Sequence, residues 1–267
     1  MGTANSRQFA VVTGASSGIG FELARQCIEH DFDVLICAHD GRGIHEAAAH
    51  LGASGAVVIP VVADLSTTQG NEKLVREIES TGRHVDALIL NAGIGVHGPF
   101  VETPLDEELC SILLNCASIV HVAKRIVPPM VVRGKGRILI TASLVSTSPT
   151  PYMAVYGATK AFDLAFAEAL RVELADSGVT VTALQPGATD TEFFDRAEME
   201  DTKVAQGKKD DPADVARRGF DAMMKGKDKV IAASFKSKLF GVANELLPET
   251  LKARIEAAEL KPGSGKH

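Results

Sequence analysis

Tyr156 and Lys160 stand four positions apart in YGATK (156–160), and Tyr152 is the only other tyrosine in the chain. On a helix, residues at i and i+4 share a face with Cβ atoms roughly 5–6 Å apart. At an effective dielectric of about 20, an ammonium at that distance favours a phenolate by roughly 3 kcal/mol, which would draw a phenol pKa of about 10 down by some two units. A phenol tuned in this way gives a proton to a carbonyl oxygen or takes one from an alcohol. The same spacing also describes two polar residues on a solvated helix face, so companion residues must decide. Ser143 ends an apolar run upstream, where its hydroxyl can hold a substrate oxygen. Asn115 lies within SILLNCASIV, where a polar side chain among apolar ones needs either a structural hydrogen bond or a purpose.

A second constellation sits near the start of the chain. The run AVVTG leads straight into Gly14-Ala15-Ser16-Ser17-Gly18-Ile19-Gly20 and then into a helical pattern. A strand followed by a glycine turn and a helix is the context of a dinucleotide-binding turn. Gly14 permits the turn, Gly18 lets backbone approach a pyrophosphate, and Gly20 allows close packing of helix on strand, while the helix N-terminus offers unpaired N–H groups to the anion. A tight strand-to-helix connection without a ligand would also select small residues.

These residues need a frame that brings distant segments to one edge. FAVVTG (9–14), DVLICA (33–38), AVVIPVVA (56–63), VDALILNAG (85–93), GRILITAS (136–143), VTVTALQPG (179–187) and KVIAAS (229–234) are continuous apolar runs, as expected of strands buried on both faces of a parallel sheet. Amphipathic stretches at Ile19 to His30, Thr68 to Ser80, Pro104 to Arg133 and Tyr152 to Ser177 are long enough to cross back over that sheet. The expected architecture is an α/β, doubly wound Rossmann-type parallel sheet of about seven strands with helices on both faces. Pro128 and Pro129 are expected to kink or end the long fourth helix. Asp211 and Pro212 mark a helix start, and only KPGSGKH at the end reads as disordered.

The chain has 267 residues, 45% apolar and 23% charged, with a net charge of −6 and no basic run, which argues for one domain (1–267) and against a nucleic-acid partner. Cys27, Cys37, Cys110 and Cys116 lack C-x-x-C spacing and read as small buried side chains in a reducing compartment. No metal-ligand spacing occurs among the histidines. No charged start with an apolar core and no span of about 18 apolar residues is seen, so membrane insertion is not expected and a cytoplasmic location is. Met1 to Ser6 fits a myristoylation pattern, read here as a polar start.

Together, TGASSGIG (13–20), Asp64-Leu65, LNAG (90–93), Asn115, Ser143, YGATK (156–160) and PGATDT (186–191) resemble the classical short-chain dehydrogenase/reductase family over nearly the whole chain. The resemblance implies an NAD(P)-dependent oxidoreductase in which Tyr156 is the general acid/base and Lys160 lowers its pKa and binds the nicotinamide ribose. It gives Ser143 the substrate oxygen and Asn115 a proton-relay water. It also implies a cofactor lying along Gly14, Ser16, Ser17, Gly18, Ile19 and Gly20, with Asp64 and Leu65 at the adenine and Asn91, Ala92 and Gly93 at the adenine-side ribose and sheet centre. Pro186, Gly187, Thr189 and Thr191 then meet the carboxamide. Leu90 departs from the family, which usually carries a first Asn there. NAD-preferring relatives carry an acidic residue where Ala38 stands, which favours NADP(H) over NAD(H); His39 follows in place of the usual basic residue, Asp40 would repel a 2′-phosphate, and Arg42 is available to compensate.

A substrate lid is expected at about 190–211, with His97, Tyr152, Met153, Phe193 and Phe194 as lining residues for an apolar or aromatic carbonyl compound or its alcohol. Phe193 and Phe194 would equally serve to seat that lid on the core. A helical tail at about 236–260 carries Leu239, Val242, Ala243, Leu246 and Leu247 on one face, for packing on the parent domain, a second subunit or a membrane surface. The resemblance implies a homodimer or homotetramer formed through the helices that hold Asn115 and Tyr156. Rival readings are a nucleotide-sensing binding protein without catalysis and a membrane-associated lipid or steroid dehydrogenase.

Overall fold

The computed structural model describes residues 7–233 and 248–265. The stretch with Leu239 to Leu247, and Met1 to Ser6, lie outside the described residues. Seven parallel strands run in the order β3-β2-β1-β4-β5-β6-β7: β1 Gln8–Thr13, β2 Phe32–Ala38, β3 Val58–Val62, β4 Ala87–Leu90, β5 Gly136–Thr141, β6 Val179–Pro186 and β7 Lys229–Ala232. The chain reverses direction of winding between β1 and β4, which opens a crevice at their carboxyl ends.

Every residue of β2 is buried, and the alternation of side chains divides each strand between two cores. Phe9 and Val11 of β1 point to one face, with Leu74 and Ile78 of α3 (Thr68–Ser80), Ile119 and Val122 of α5 (Ser118–Arg133) and Leu164 of α6 (Ala154–Glu173). Ala10 and Val12 point to the other, with Leu23 of α1 (Gly18–Glu29), Ile44 of α2 (Gly41–Gly52) and, beyond the one-turn helices α7 (Phe193–Arg196) and α8 (Lys203–Gln206), Phe220 of α9 (Pro212–Met224). Asp211 caps α9 by accepting from Ala213 N–H at 2.8 Å, with Pro212 in its first turn, as the sequence indicates.

The long fourth crossover differs from the expected single helix. It consists of α4 (Leu105–Ile112), one π-helical turn (Leu113–Ala117) and α5. Pro128 and Pro129 do not end it: α5 continues to Arg133 and stops at Gly134, whose φ of 68° supplies the left-handed cap. Both prolines, with Lys124 and Arg125 one turn earlier, face solvent, where water takes the carbonyls that lose a helical partner. The expectation that no segment is apolar enough to span a bilayer also needs correction. Leu105–Arg133 passes by length and composition, with a mean hydropathy of 1.4 over 18 residues, but 44% of that window is buried inside the fold.

Residues 261–265 are held in place where disorder was expected for KPGSGKH, whose last two residues lie outside the described residues. The last helix, α10 (Glu249–Leu260), leads into a tail whose Gly263 and Gly265 N–H groups donate to the Asp201 side chain and carbonyl at 2.5 and 2.7 Å. Ser264 accepts from Lys203 N–H at 3.1 Å. Leu260 is buried beside Met153, Phe194 and Met199, so the tail seats on the lid.

Candidate functional site

The glycine turn is shaped by what it touches. Gly14 and Gly18 have φ of 66° and 57°, the left-handed region that favours glycine. A Cβ at Gly14 would lie 2.8 Å from Ala92 Cα, and one at Gly20 would lie 2.0 Å from the Gly14 carbonyl oxygen. Ser17 occupies the N-cap of α1 without a side-chain cap; its hydroxyl donates to Glu192 Oε2 at 3.2 Å, and no acidic residue lies in the first turn. The N–H groups of that turn, including Ile19, are left facing a groove floored by glycine backbone. This cradle fits an anionic pyrophosphate.

At the end of β2, Ala38 is buried, while His39 and Asp40 are exposed. Asp40 caps α2, accepting from Arg42 N–H at 3.0 Å. Arg42 is largely exposed and reaches Glu46 at 2.8 Å. Ser16 approaches this corner, its Cβ 3.4 Å from where a Cβ on Gly43 would stand.

Across the crevice, Thr13 Oγ1 accepts from the N–H groups of Asn91 and Ala92 at 2.9 and 3.1 Å. The Asn91 amide donates to the carbonyls of Thr13 and Gly14 and accepts from Thr141 Oγ1 at 3.1 Å, so it clasps β1, β4 and β5 together. Asp64 is exposed and accepts from Ser66, whereas Leu65 is buried in the core and its carbonyl accepts from the Asn71 amide at 2.8 Å. Pro186 ends β6, and Thr189 is buried with its hydroxyl on the Gly187 carbonyl at 2.9 Å. A Cβ on Gly18 would meet Thr191 Cγ2 at 2.9 Å, so this segment lies against the glycine turn.

Tyr156, Ser143, Lys160 and Asn115 converge beside that crevice. The Tyr156 hydroxyl lies close enough to Ser143 for that side chain to favour its ionised form, and Ser143 caps a short 3-10 turn (Leu144–Thr147), accepting from Val145 N–H at 3.3 Å. Lys160, 4% exposed, holds its Nζ 6.0 Å from the Tyr156 ring centroid and donates to the Thr141 carbonyl and to Asp163 Oδ2, each at 2.9 Å. Asn115 is fully buried in the π-helical turn; its amide accepts from Ile94 N–H at 3.0 Å and donates to the Ile94 carbonyl and Thr159 Oγ1 at 2.9 Å. Gly93 closes the site from above, since a Cβ there would sit 3.2 Å from Asn115 Oδ1 and 3.3 Å from Lys160 Nζ.

The electrostatics correct one sequence expectation. Burial raises the Tyr156 phenol above its ordinary range; Lys160 and the Ser143 hydrogen bond pull it back, and Asp163 pushes it up again. Counting the ammonium alone omitted both the desolvation and the second charge. Lys160 is raised as well: burial works against its charge, but Asp163, Tyr156 and Cys116 together outweigh it.

The lid region 190–211 leaves and returns at one place, because Asp190 N–H donates to the Asp210 carbonyl and Asp210 N–H to Ala188, at 2.9 and 2.8 Å. The two phenylalanines of this segment are placed differently. Phe194 is buried in the lid cluster, whereas Phe193 lies on Tyr156 with ring centroids 5.3 Å apart and presses on Gly95. Met153 is buried, Tyr152 holds a φ of 65° unusual for a bulky side chain, and His97 Nε2 bonds the Leu260 carbonyl at 2.6 Å. Sequence reading missed Asp163, Thr13, Thr141 and Thr159; only tertiary contact reveals them, although an Asp three residues after Lys160 was visible as a helical pair.

A family profile described as short chain dehydrogenase matches residues 8–202. A 1-deoxy-11-beta-hydroxypentalenate dehydrogenase from Streptomyces exfoliatus is 37% identical over 185 residues, covering 68% of this chain and 67% of that protein. A glycine betaine reductase from Emericella nidulans is 34% identical over 189 residues, which cover 71% of this chain but 15% of that much longer protein. Among solved structures, a short-chain dehydrogenase from Sphingobium yanoikuyae in complex with NADPH superposes with a TM-score of 0.79 at 28% identity, covering 90% of this chain and 94% of that one. A 3-ketoacyl-(acyl-carrier-protein) reductase from Brucella melitensis complexed with NADH gives 0.75 at 25% identity, covering 86% and 98%.

Proposed function

The chain belongs to the short-chain dehydrogenase family of oxidoreductases, and from that premise we propose that it moves a hydride between NADP(H) and a small carbonyl/alcohol pair, with Tyr156 as the proton donor and acceptor. The observation that carries this reading is the Lys160 ammonium 6.0 Å from the Tyr156 ring, under Gly93, whose neighbour Ala92 packs on Gly14 of the glycine turn. The nicotinamide ring, when bound, supplies or accepts the hydride. Gly14 to Gly20 receive the pyrophosphate, Lys160 offers its remaining N–H to the ribose, and Thr189 and Thr191 flank the carboxamide. Ser143 holds the substrate oxygen within reach of Tyr156. Asn115 fixes the loop at Ile94 to α6, which keeps the two sides of the site in register.

Reduction consumes the neutral phenol and oxidation consumes the phenolate. With the phenol raised, reduction holds through neutral pH and falls only as pH climbs through the Tyr156 pKa, while oxidation grows over the same interval. Phe193 over Tyr156, with Met153 and Tyr152 nearby, suits an apolar or aromatic substrate. Leu109, Ile112, Leu113, Val120 and Phe162 are all exposed on α4 to α6, which supports pairing of two copies through those helices.

NADP(H) is favoured by the missing carboxylate at Ala38, the last residue of β2. Ala38→Asp is expected to move the kcat/KM ratio towards NADH by at least tenfold, through a new acceptor for the ribose 2′-OH and repulsion of a 2′-phosphate. An unchanged ratio would assign cofactor choice to Ser16 and Arg42 instead. The reading as a whole is tested by offering a panel of apolar and aromatic aldehydes and ketones with NADPH and with NADH while following nicotinamide absorbance. Tight nucleotide binding with no consumption across the panel would favour a nucleotide-sensing protein.

A further inference from the structure

Asp163 is fully buried, one helical turn beyond Lys160 on α6, and its Oδ2 receives the Lys160 ammonium at 2.9 Å. Its other oxygen, Oδ1, is buried with no hydrogen-bond partner. A carboxylate kept in that condition needs a reason, because a buried unsatisfied oxygen is costly and an apolar residue of similar size would fill the space. The ammonium has three hydrogens; the Thr141 carbonyl and Asp163 take two, leaving one for the groove under Gly93. Resting on the functional reading above, we propose that Asp163 is a positioning residue: it pins the Lys160 ammonium and offsets part of its pull on the Tyr156 proton, which helps to hold Tyr156 as the neutral phenol that protonates a carbonyl oxygen.

The charges that face this cluster are few. Tyr156, Lys160 and Asp163 come from α6, and Cys116 approaches from the π-helical turn, its thiol pushed up to about 11 chiefly by burial and then by Asp163. The carboxyl of Asp163 is itself raised by burial and drawn back by Lys160. A lysine beside a phenol shifts its balance towards the base form. A lysine whose charge is balanced behind it leaves the phenol an acid, suited to reduction at neutral pH.

The chain has two tyrosines and no tryptophan, which makes the test independent of any substrate. In full-length Tyr152→Phe, the only phenol is Tyr156, and its ionisation is read directly by near-ultraviolet difference absorbance. Adding Asp163→Asn keeps the size and an oxygen acceptor for Lys160 but removes the charge. The midpoint of the Tyr156 titration is expected to move to lower pH in Asp163→Asn. Circular dichroism on the same samples marks alkaline unfolding and confirms that both proteins are folded across the titration. Asp163→Glu, with a restored charge, is expected to return the midpoint towards the parent. An unmoved or raised midpoint, or a phenol that ionises only on unfolding in both proteins, overturns the proposal. Failure of the Tyr156 role in catalysis shows separately, as turnover retained by Tyr156→Phe.

Discussion

Tyr156→Phe is expected to bind nicotinamide nucleotide with unchanged affinity and to lose turnover by about 10²- to 10⁴-fold, the range that a positioned general acid contributes. The phenyl ring keeps its tilted contact with Phe193 and its place beside Lys160, so the substitution removes one oxygen from the site and little else. Loss of one polar contact of this kind costs about 1 kcal/mol, and the fold is expected to persist. Steady-state kinetics on the best substrate of the panel, beside nucleotide binding by fluorescence or calorimetry, separates the two effects. A drop confined to KM would assign Tyr156 to binding. Turnover within a few-fold of the parent would remove it from the chemistry and leave Ser143 as the remaining hydroxyl at the substrate oxygen.

The second large effect comes from a methyl group. Gly20→Ala places a Cβ 2.0 Å from the Gly14 carbonyl oxygen and 2.5 Å from Asn91 Nδ2, and both neighbours are held from elsewhere. Neither the turn nor the clasp at Asn91 can yield without the other, so the turn must open. A loss of about 2 to 3 kcal/mol follows from overpacking of this kind, or a fall in Tm of about 5 to 10 °C. Nucleotide affinity falls with it, because the groove floor is the displaced backbone. Gly52→Ala is the matched control: it too is helical, a Cβ there meets nothing within 4 Å, and helix propensity makes it neutral or stabilising by up to about 1 kcal/mol. Thermal unfolding of the pair distinguishes a steric requirement at Gly20 from a general intolerance of helix substitution. Equal midpoints would mean that the turn has room that its packing denies.

Where the sequence carried its own local signal, it located the parts well. Thr68 to Ser80 is found with both ends as read, bounded by the Thr67 cap and the turn at Gly82. All seven apolar runs are strands, though β3 is only Val58–Val62, since Ala56 and Val57 precede its pairing with β2. Features set by distant contact were harder. A π-helical turn at Asn115 leaves no mark on apolar periodicity, because it changes which carbonyl receives each N–H and not the order of side chains. Asp163 reads as half of an ordinary i,i+3 surface pair until the packing of α6 against β5 buries it. The phenol of Tyr156 was misjudged for the same reason: one neighbour is legible at fixed helical spacing, but desolvation is a property of everything else that surrounds the ring.

The paired stems at Ala188 to Asp190 and Asp210 let the intervening segment grow, shrink or change composition without pulling on β6 or α9. On the proposed function, selectivity for one molecule over another would therefore drift while the arrangement of Tyr156, Ser143 and Lys160 stays put. Docking of Gly263 and Gly265 on Asp201 adds a fastener at the far end of that detour. Variation in the last few residues of the polypeptide would thus be felt first in what is admitted, and only afterwards in how quickly it reacts.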